Sequence, residues 1–295
     1  MSDARTICEA LGGRWAGRYG LAFCPAHDNT RTPALSLSTG SEGRLLAHCH
    51  AGCDFLAILD ALRGRGLVEG RGSGGFTPDP AVTARREAEA RQAAEKRARQ
   101  AEALWRESLP LAGTVAERYL RRRGVACDLP PTLRFHPHCW HTSARRFPAL
   151  LARVDGGDGA GLHRTYLAPD GSGKAAVEPA RAMLGNVQGG AVRLSDGPGR
   201  LVACEGLETG LSLLSGLLDG PATVWAALST SGLRGLRLPA QPARLTIATD
   251  GDAPGREAAH ALAERAHGLG WMVGILDPGD GLDFNDILTG KVVAA

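Results

Sequence analysis

No stretch of this 295-residue chain holds the ~18–20 continuous apolar residues that a membrane helix needs. Its N-terminus, MSDARTICEALGGRW, has no apolar core long enough for a secretory signal. These two absences lead us to expect a soluble, cytoplasmic protein. Lysine is nearly missing, because arginine supplies 31 of the 34 positive charges. Phosphate binding through the planar guanidinium produces such a bias, and so does a GC-rich genome. Cysteine is sparse and odd in number, seven in all, which argues against a disulfide framework and for a metal cluster. The hydrophobic fraction of 43% and charged fraction of 22% are ordinary, so wholesale disorder is excluded. At roughly 100–200 residues per domain, the length implies about two domains with a small third unit.

The net charge of +3 is unevenly spread: residues 1–80 are neutral, residues 81–195 carry +8 and residues 196–295 carry −5. A basic middle joined to an acidic end suggests a polyanion path beside a metal pocket. Residues 1–70 read as one small unit. GRGSGGFTPDP, residues 70–80, reads as a flexible linker. Residues 81–107 are rich in Ala, Glu and Arg, with pairs such as Glu87/Arg91 and Glu95/Arg99 one turn apart, and imply a solvated spacer helix. We therefore assign residues 71–110 to linker and charged helix. TVAERYLRRRG implies a short basic helix stopped by Gly124. From 130 to 195 the pattern is strand-like with Gly/Pro turns, giving a basic α+β subdomain over 111–197. From 198 to 295, RLVACEG, TVWAAL, RLTIATD and WMVGIL alternate with helical segments. That alternation predicts an α/β fold built on a parallel sheet flanked by helices. Sites in such sheets form beyond the carboxyl ends of the strands.

One cluster of metal-binding residue types stands in the first unit. Cys24-x2-His27 and Cys49-x3-Cys53 are short pairs about twenty residues apart, a spacing that suits a tetrahedral structural zinc. LSLSTGSEGRLLAHC between them reads as two strands with a turn at SEG, making a small zinc ribbon. His48 and His50 flank Cys49, so either can replace a cysteine as ligand. Trp15, Tyr19 and Phe23 are read as a small core, with base stacking as the alternative.

A second set of side chains is acidic. Glu205 follows LVAC, Asp250 and Asp252 follow LTIA, and Asp277, Asp280, Asp283 and Asp286 follow VGIL. In a parallel sheet these strand ends meet at one edge. Asp250 and Asp252, at i and i+2, share a side if strand geometry continues. Carboxylates gathered without a basic partner repel one another unless divalent cations neutralise them, and hard oxygen ligands favour Mg²⁺ or Mn²⁺.

CEGLETGLSLL followed by ATDGDAPGREAA resembles a Toprim domain. That resemblance implies metal-binding and catalytic roles for Glu205, Asp250 and Asp252. GLDFNDIL resembles the later acidic motif of the phage and plasmid branch and would add Asp283 and Asp286 to the Mg²⁺ ligands. CPAH…CHAGC resembles the zinc-binding domain of DnaG-type primases, one residue longer in its second pair. HRTYLAPDGSGKA…LG…GGAVRL resembles the basic segment before Toprim in phage- and plasmid-type primases. The order zinc domain, basic middle, Toprim implies a DNA primase making short RNA primers on single-stranded DNA from nucleoside triphosphates. Arg134, His163, Arg164, Lys174, Arg181 and Arg193 are the candidate contacts to template or nucleotide. GSGK at 171–174 imitates a P-loop, but Ala175 replaces its Ser/Thr. With no helicase motor in the sequence, a separately encoded helicase or replication initiator is the expected partner. The alternatives are a Toprim nuclease, or a non-catalytic zinc/Toprim DNA-binding protein. Three tyrosines and no cleavage domains argue against a topoisomerase.

Overall fold

The computed structural model describes residues 3–28, 32–40, 44–68 and 80–290. Residues 70–79 of the expected 70–80 linker and the SEG turn at 41–43 lie outside the described residues, as does the side chain of Glu87. No helix among the described residues is long and apolar enough to cross a membrane. The chain divides into two compact units, 1–80 and 81–295.

In the first unit, helix α1 (Ala4–Ala10) precedes strands β1 (Arg14–Ala16), β2 (Tyr19–Ala22), β3 (Leu35–Thr39) and β4 (Leu45–Cys49), and helix α2 (Phe55–Gly64) follows. The four strands form one antiparallel sheet in chain order. Asp3 and Asp54 cap the two helices by accepting from the N–H groups of Thr6 and Ala57. β3 alternates, so Leu35 and Leu37 turn inward to meet Ile7, Ile58 and Leu62. Trp15 packs against this core while Tyr19 is 50% exposed, so the aromatic trio is only partly core.

The second unit opens with the spacer helix α3 (Pro80–Glu107). Its exposed ion pairs, Arg85–Glu89 at 2.8 Å and Glu95–Arg99 at 3.7 Å, follow the one-turn spacing. Its last turns are not solvated. Ala101, Leu104 and Trp105 pack against a sheet with the order β5 (Leu109–Pro110), β6 (Leu133–Trp140), β7 (Arg146–Val154), β8 (Gly161–Tyr166), β9 (Arg181–Gly185), every pairing antiparallel. Helix α4 (Val115–Arg122), capped by Thr114 and ended at Gly124, covers the other face of this sheet.

A second sheet has the order β10 (Val192–Ser195), β12 (Thr223–Ala226), β11 (Leu201–Cys204), β13 (Arg244–Ala248), β14 (Met272–Leu276). The last four are mutually parallel, and β10 joins antiparallel at one edge. Strand β10, from before residue 198, thus pairs into the sheet whose other four strands follow that position. Helices α5 (Leu207–Ser212), α6 (Thr230–Gly235), α7 (Ala253–Gly268) and α8 (Phe284–Leu288) complete the α/β layers. ETGLSLLSGLLDG reads as one helix to Gly220, but α5 ends at Ser212 and gives way to a π turn over Leu213–Leu217. Gly216 adopts φ 122° there, a conformation open to glycine. One core joins Leu120, Leu133 and Leu150 of the antiparallel sheet region to Val202, Leu211 and Val224 of the parallel one. A second, with Leu245, Ile247 and Leu262, fills the opposite face of the parallel sheet. Each fully buried leucine contributes about 1.5–3 kcal/mol.

Candidate functional site

Cys24 leaves β2, Cys49 ends β4, and His27 and Cys53 stand in the turns that follow each strand. The ligand atoms of Cys24, His27, Cys49 and Cys53 all lie within 4.8 Å of one another. His27 Nδ1 is 3.1 Å from Cys53 Sγ and 3.7 Å from Cys49 Sγ. Around a zinc ion with Zn–S near 2.3 Å, tetrahedral sulfurs stand about 3.8 Å apart, so this cluster has the right size. Burial pushes the Cys24 thiol up to about 11. Burial also acts to raise Cys49, but the N–H groups of Cys53 and Ala51, together with hydrogen bonds from the Cys24 and Cys53 thiols, outweigh it and hold the thiol below its ordinary range. Three thiols and one imidazole nitrogen thus fit a Zn²⁺ ion as donors. His48 and His50 meet each other edge-on, with ring centroids 5.0 Å apart, and neither belongs to the cluster.

The acidic residues gather at the carboxyl ends of β11, β13 and β14, which are adjacent and parallel. Glu205 follows β11. Burial, then the charges of Asp250 and Asp252, push its carboxyl up to about 7, against an opposing pull from Arg181 and the Thr230 backbone. Asp250 is also raised, by burial first and then by Asp283, while the Thr209 hydroxyl donates to its Oδ1 at 3.3 Å. Strand geometry stops at Ala248, so the shared side expected for Asp250 and Asp252 does not come from the strand. Asp252 instead caps α7, accepting from Gly255 N at 2.7 Å.

Gly251 brings the two loops together. It donates to Leu282 O at 2.9 Å and accepts from Gly281 N at 2.8 Å. A Cβ on Gly251 would collide with the Gly279 carbonyl. This contact carries Asp283 to within electrostatic reach of Asp250. Asp283 caps α8 in a reciprocal box with Asp286: its Oδ1 accepts from Asp286 N at 2.7 Å, and Asp286 Oδ2 accepts from Asp283 N at 3.4 Å. Asp277 and Asp280 instead pair with Arg256, each at 2.7 Å.

The six candidate contacts to nucleic acid separate into two groups. Arg181, at the start of β9, is felt by both Glu205 and Asp250. Lys174 lies 3.6 Å from Glu208 Oε1. His163 is 4% exposed, and burial holds its imidazole down to about 4 despite Glu208, with Arg181, Lys174 and Arg164 adding to the depression. The other three are engaged within the fold. Arg134 donates to the Ser108 carbonyl and stacks 5.3 Å above Trp105. Arg164 donates to the carbonyls of Met183 at 3.1 Å and Trp140 at 3.5 Å. Arg193 lies 3.3 Å over the Trp225 ring. Sequence reasoning missed Glu208, Thr209 and Tyr119. The only trace of Glu208 was its place one turn after Glu205 within an otherwise apolar segment.

Residues 200–292 match the Toprim domain family, and residues 95–194 match a domain of unknown function, DUF7146. No curated protein matches the chain. Among solved structures, the Aquifex aeolicus primase (zinc-binding and RNA polymerase domains) aligns at 15% identity, covering 99% of this chain and 83% of its own, with a TM-score of 0.42. A DNA primase domain from Pseudomonas aeruginosa aligns at 17% identity over 61% of this chain and 69% of its own, with a TM-score of 0.39. The RNA polymerase domain of Mycobacterium tuberculosis primase DnaG aligns at 16% identity over 68% and 79%, with a TM-score of 0.36. These superpositions are distant, and the assignment rests on the family match together with the strand order and acidic edge described above. The C-terminal third of this chain, residues 200–292, is a Toprim domain.

Proposed function

We propose that this protein is a primase-type nucleotidyltransferase that makes short RNA primers on a single-stranded DNA template. One observation carries the reading: carboxylates from three adjacent strand ends, Glu205, Asp250, Asp252 and Asp283, lie within electrostatic reach of one another, and the Arg181 cation acts on two of them, Glu205 and Asp250. A divalent metal would be held by Glu205, Asp250, Asp252 and Asp283, with Asp286 bracing Asp283. Mg²⁺ or Mn²⁺ there would supply Lewis-acid stabilisation of a triphosphate and activation of a ribose 3′-OH. Lys174 would receive oxygens of the bound triphosphate, and Arg181 would balance the charge that develops on the leaving pyrophosphate. The packing of Glu205 and Asp250 at the sheet edge keeps their oxygens partly dry and fixed, so little reorganisation is needed on binding. The Cys3His unit would be a structural zinc module that holds template.

The remaining parts of the reading are the separately encoded helicase or initiator as partner and a place in phage or plasmid replication. Incubating the protein with single-stranded templates, labelled nucleotides and Mg²⁺ or Mn²⁺ tests the core claim. Short template-dependent products are expected, falling at least about a hundredfold in Glu205→Gln and Asp250→Ala while melting temperature holds. Shortening of the template itself would replace this reading with a nuclease. Binding of DNA without products, in the presence and absence of a helicase, would leave a binding module.

A further inference from the structure

Glu208 is a carboxylate buried in the first turn of α5, at 8% exposure. The Tyr119 hydroxyl donates to its Oε1 at 2.8 Å, and the Lys174 ammonium approaches the same oxygen at 3.6 Å. Burial alone would raise this carboxyl, yet Lys174 and the Tyr119 hydroxyl hold it below its ordinary range. Burying such an ion pair brings no stability that a well-packed apolar side chain would not match or exceed. Its position offers another reason for its presence. The next residue, Thr209, hydrogen-bonds Asp250. Two consecutive residues of α5 therefore hold a cation on one side and a site carboxylate on the other.

Helix α4 supplies the rest of the support. It provides Tyr119, and its Arg118 donates to the Asp170 carbonyl at 3.3 Å in the tight 168–173 turn that leads to Lys174. Lys174 itself keeps 33% of its side chain exposed. It is one of only three lysines in the chain, and a lysine offers a compact charge where an arginine would fork around the carboxylate.

We propose that Glu208 is a positioning residue which, with Tyr119, fixes the Lys174 ammonium beside the acidic cluster as a contact for the triphosphate of an incoming nucleotide. The triphosphate role rests on the nucleotidyl-transfer reading above. The test uses the full chain as wild type, Glu208→Gln, Lys174→Met and the double variant. Two readouts are taken on the same samples: affinity for ATP with Mg²⁺, and acetylation of Lys174 by trace acetic anhydride relative to exposed Lys96.

In Glu208→Gln, Lys174 labelling should rise roughly threefold as the ammonium loses its carboxylate. ATP affinity should fall about tenfold, with kcat at saturating nucleotide within about a factor of two. Lys174→Met should lose the same affinity, and the double variant no more than either single one. Unchanged Lys174 labelling overturns the positioning role. Additive losses in the double variant, or a fall in kcat without a change in affinity, overturn it in favour of a purely structural carboxylate. If wild-type protein binds no ATP, the nucleotidyl-transfer reading and the triphosphate role both fall, while the labelling ratio still reports separately whether the clamp exists. Should Glu208→Gln fail to fold, Tyr119→Phe loosens the clamp from its other side and is read by the same two measurements.

Discussion

At His163 two forces act together. Burial removes water from the imidazole, and Arg181, Lys174 and Arg164 oppose a further positive charge, so its pKa drops to about 4. The unfolded chain, with an ordinary histidine near 6.5, therefore takes up the proton first. Stability from this residue is fully present above pH 6.5 and is lost as pH falls toward 4. The loss between pH 7 and 5 should be on the order of 2 kcal/mol. Denaturant melts at the two pH values should show that slope in wild type and a shallower one in His163→Gln. An equal slope in both would show that His163 does not bury neutral. The same scale shows where sequence reasoning stops. Arg134, Arg164, Arg193, Lys174 and Arg181 are all cations in strand-like or turn segments and look alike in the sequence. Strand alternation separates them. Arg164 shares its face of β8 with Leu162 and Tyr166 and turns its guanidinium to backbone carbonyls, whereas His163 lies on the opposite face with Arg181 in reach.

Among the elements, the close approach of two loops decides the acidic site. The Gly251 backbone lies against the 279–282 loop, and an added methyl would strike the Gly279 carbonyl. Gly251→Ala should therefore cost about 1–3 kcal/mol in overpacking. It should also draw Asp283 away from Asp250 and lower nucleotidyl transfer by more than tenfold. A thermal melt beside a primer-synthesis assay separates the two effects, and a loss of stability with full activity would refute the positional role of this glycine. The alternation of strands and helices from 198 onward was legible because buried parallel strands are short apolar runs bounded by glycines and acids. The break in the helix after Ser212 was not. It follows from Gly216 and from Ser215, whose hydroxyl accepts from the N–H groups of Ala126 and Cys127, some ninety residues earlier in the chain. A sequence window contains no sign of such a partner.

Over the whole molecule, the two compact units differ in what holds them. Among the described residues the second has three apolar cores, while the first folds about 80 residues around a small core and the Cys3His cluster. Domains that small usually need a staple. The protein should therefore carry one zinc per chain and unfold in two thermal steps. A strong chelator, or Cys49→Ser, should shift the step of the first unit down by more than about 10 °C and leave the other in place. Calorimetry beside elemental analysis makes the check. A single transition indifferent to chelator would remove zinc from the account.

The sequence alone determined where a Cys/His cluster forms, the succession of acidic strand ends and the α/β class, because each is written in local spacing and short-range apolar pattern. His48 and His50 stayed open as ligands until the register of β3 and β4 was known, since only that register turns Cys49 toward His27 and Cys53. The tertiary structure decided which cations face the carboxylates, that β10 belongs to the parallel sheet's edge, and that Glu208 joins Tyr119 to Lys174 across 89 and 34 residues of chain. Those choices depend on long-range packing and on the competition of each charged group between water, backbone carbonyls and other charges. Neither spacing nor composition records the outcome of that competition.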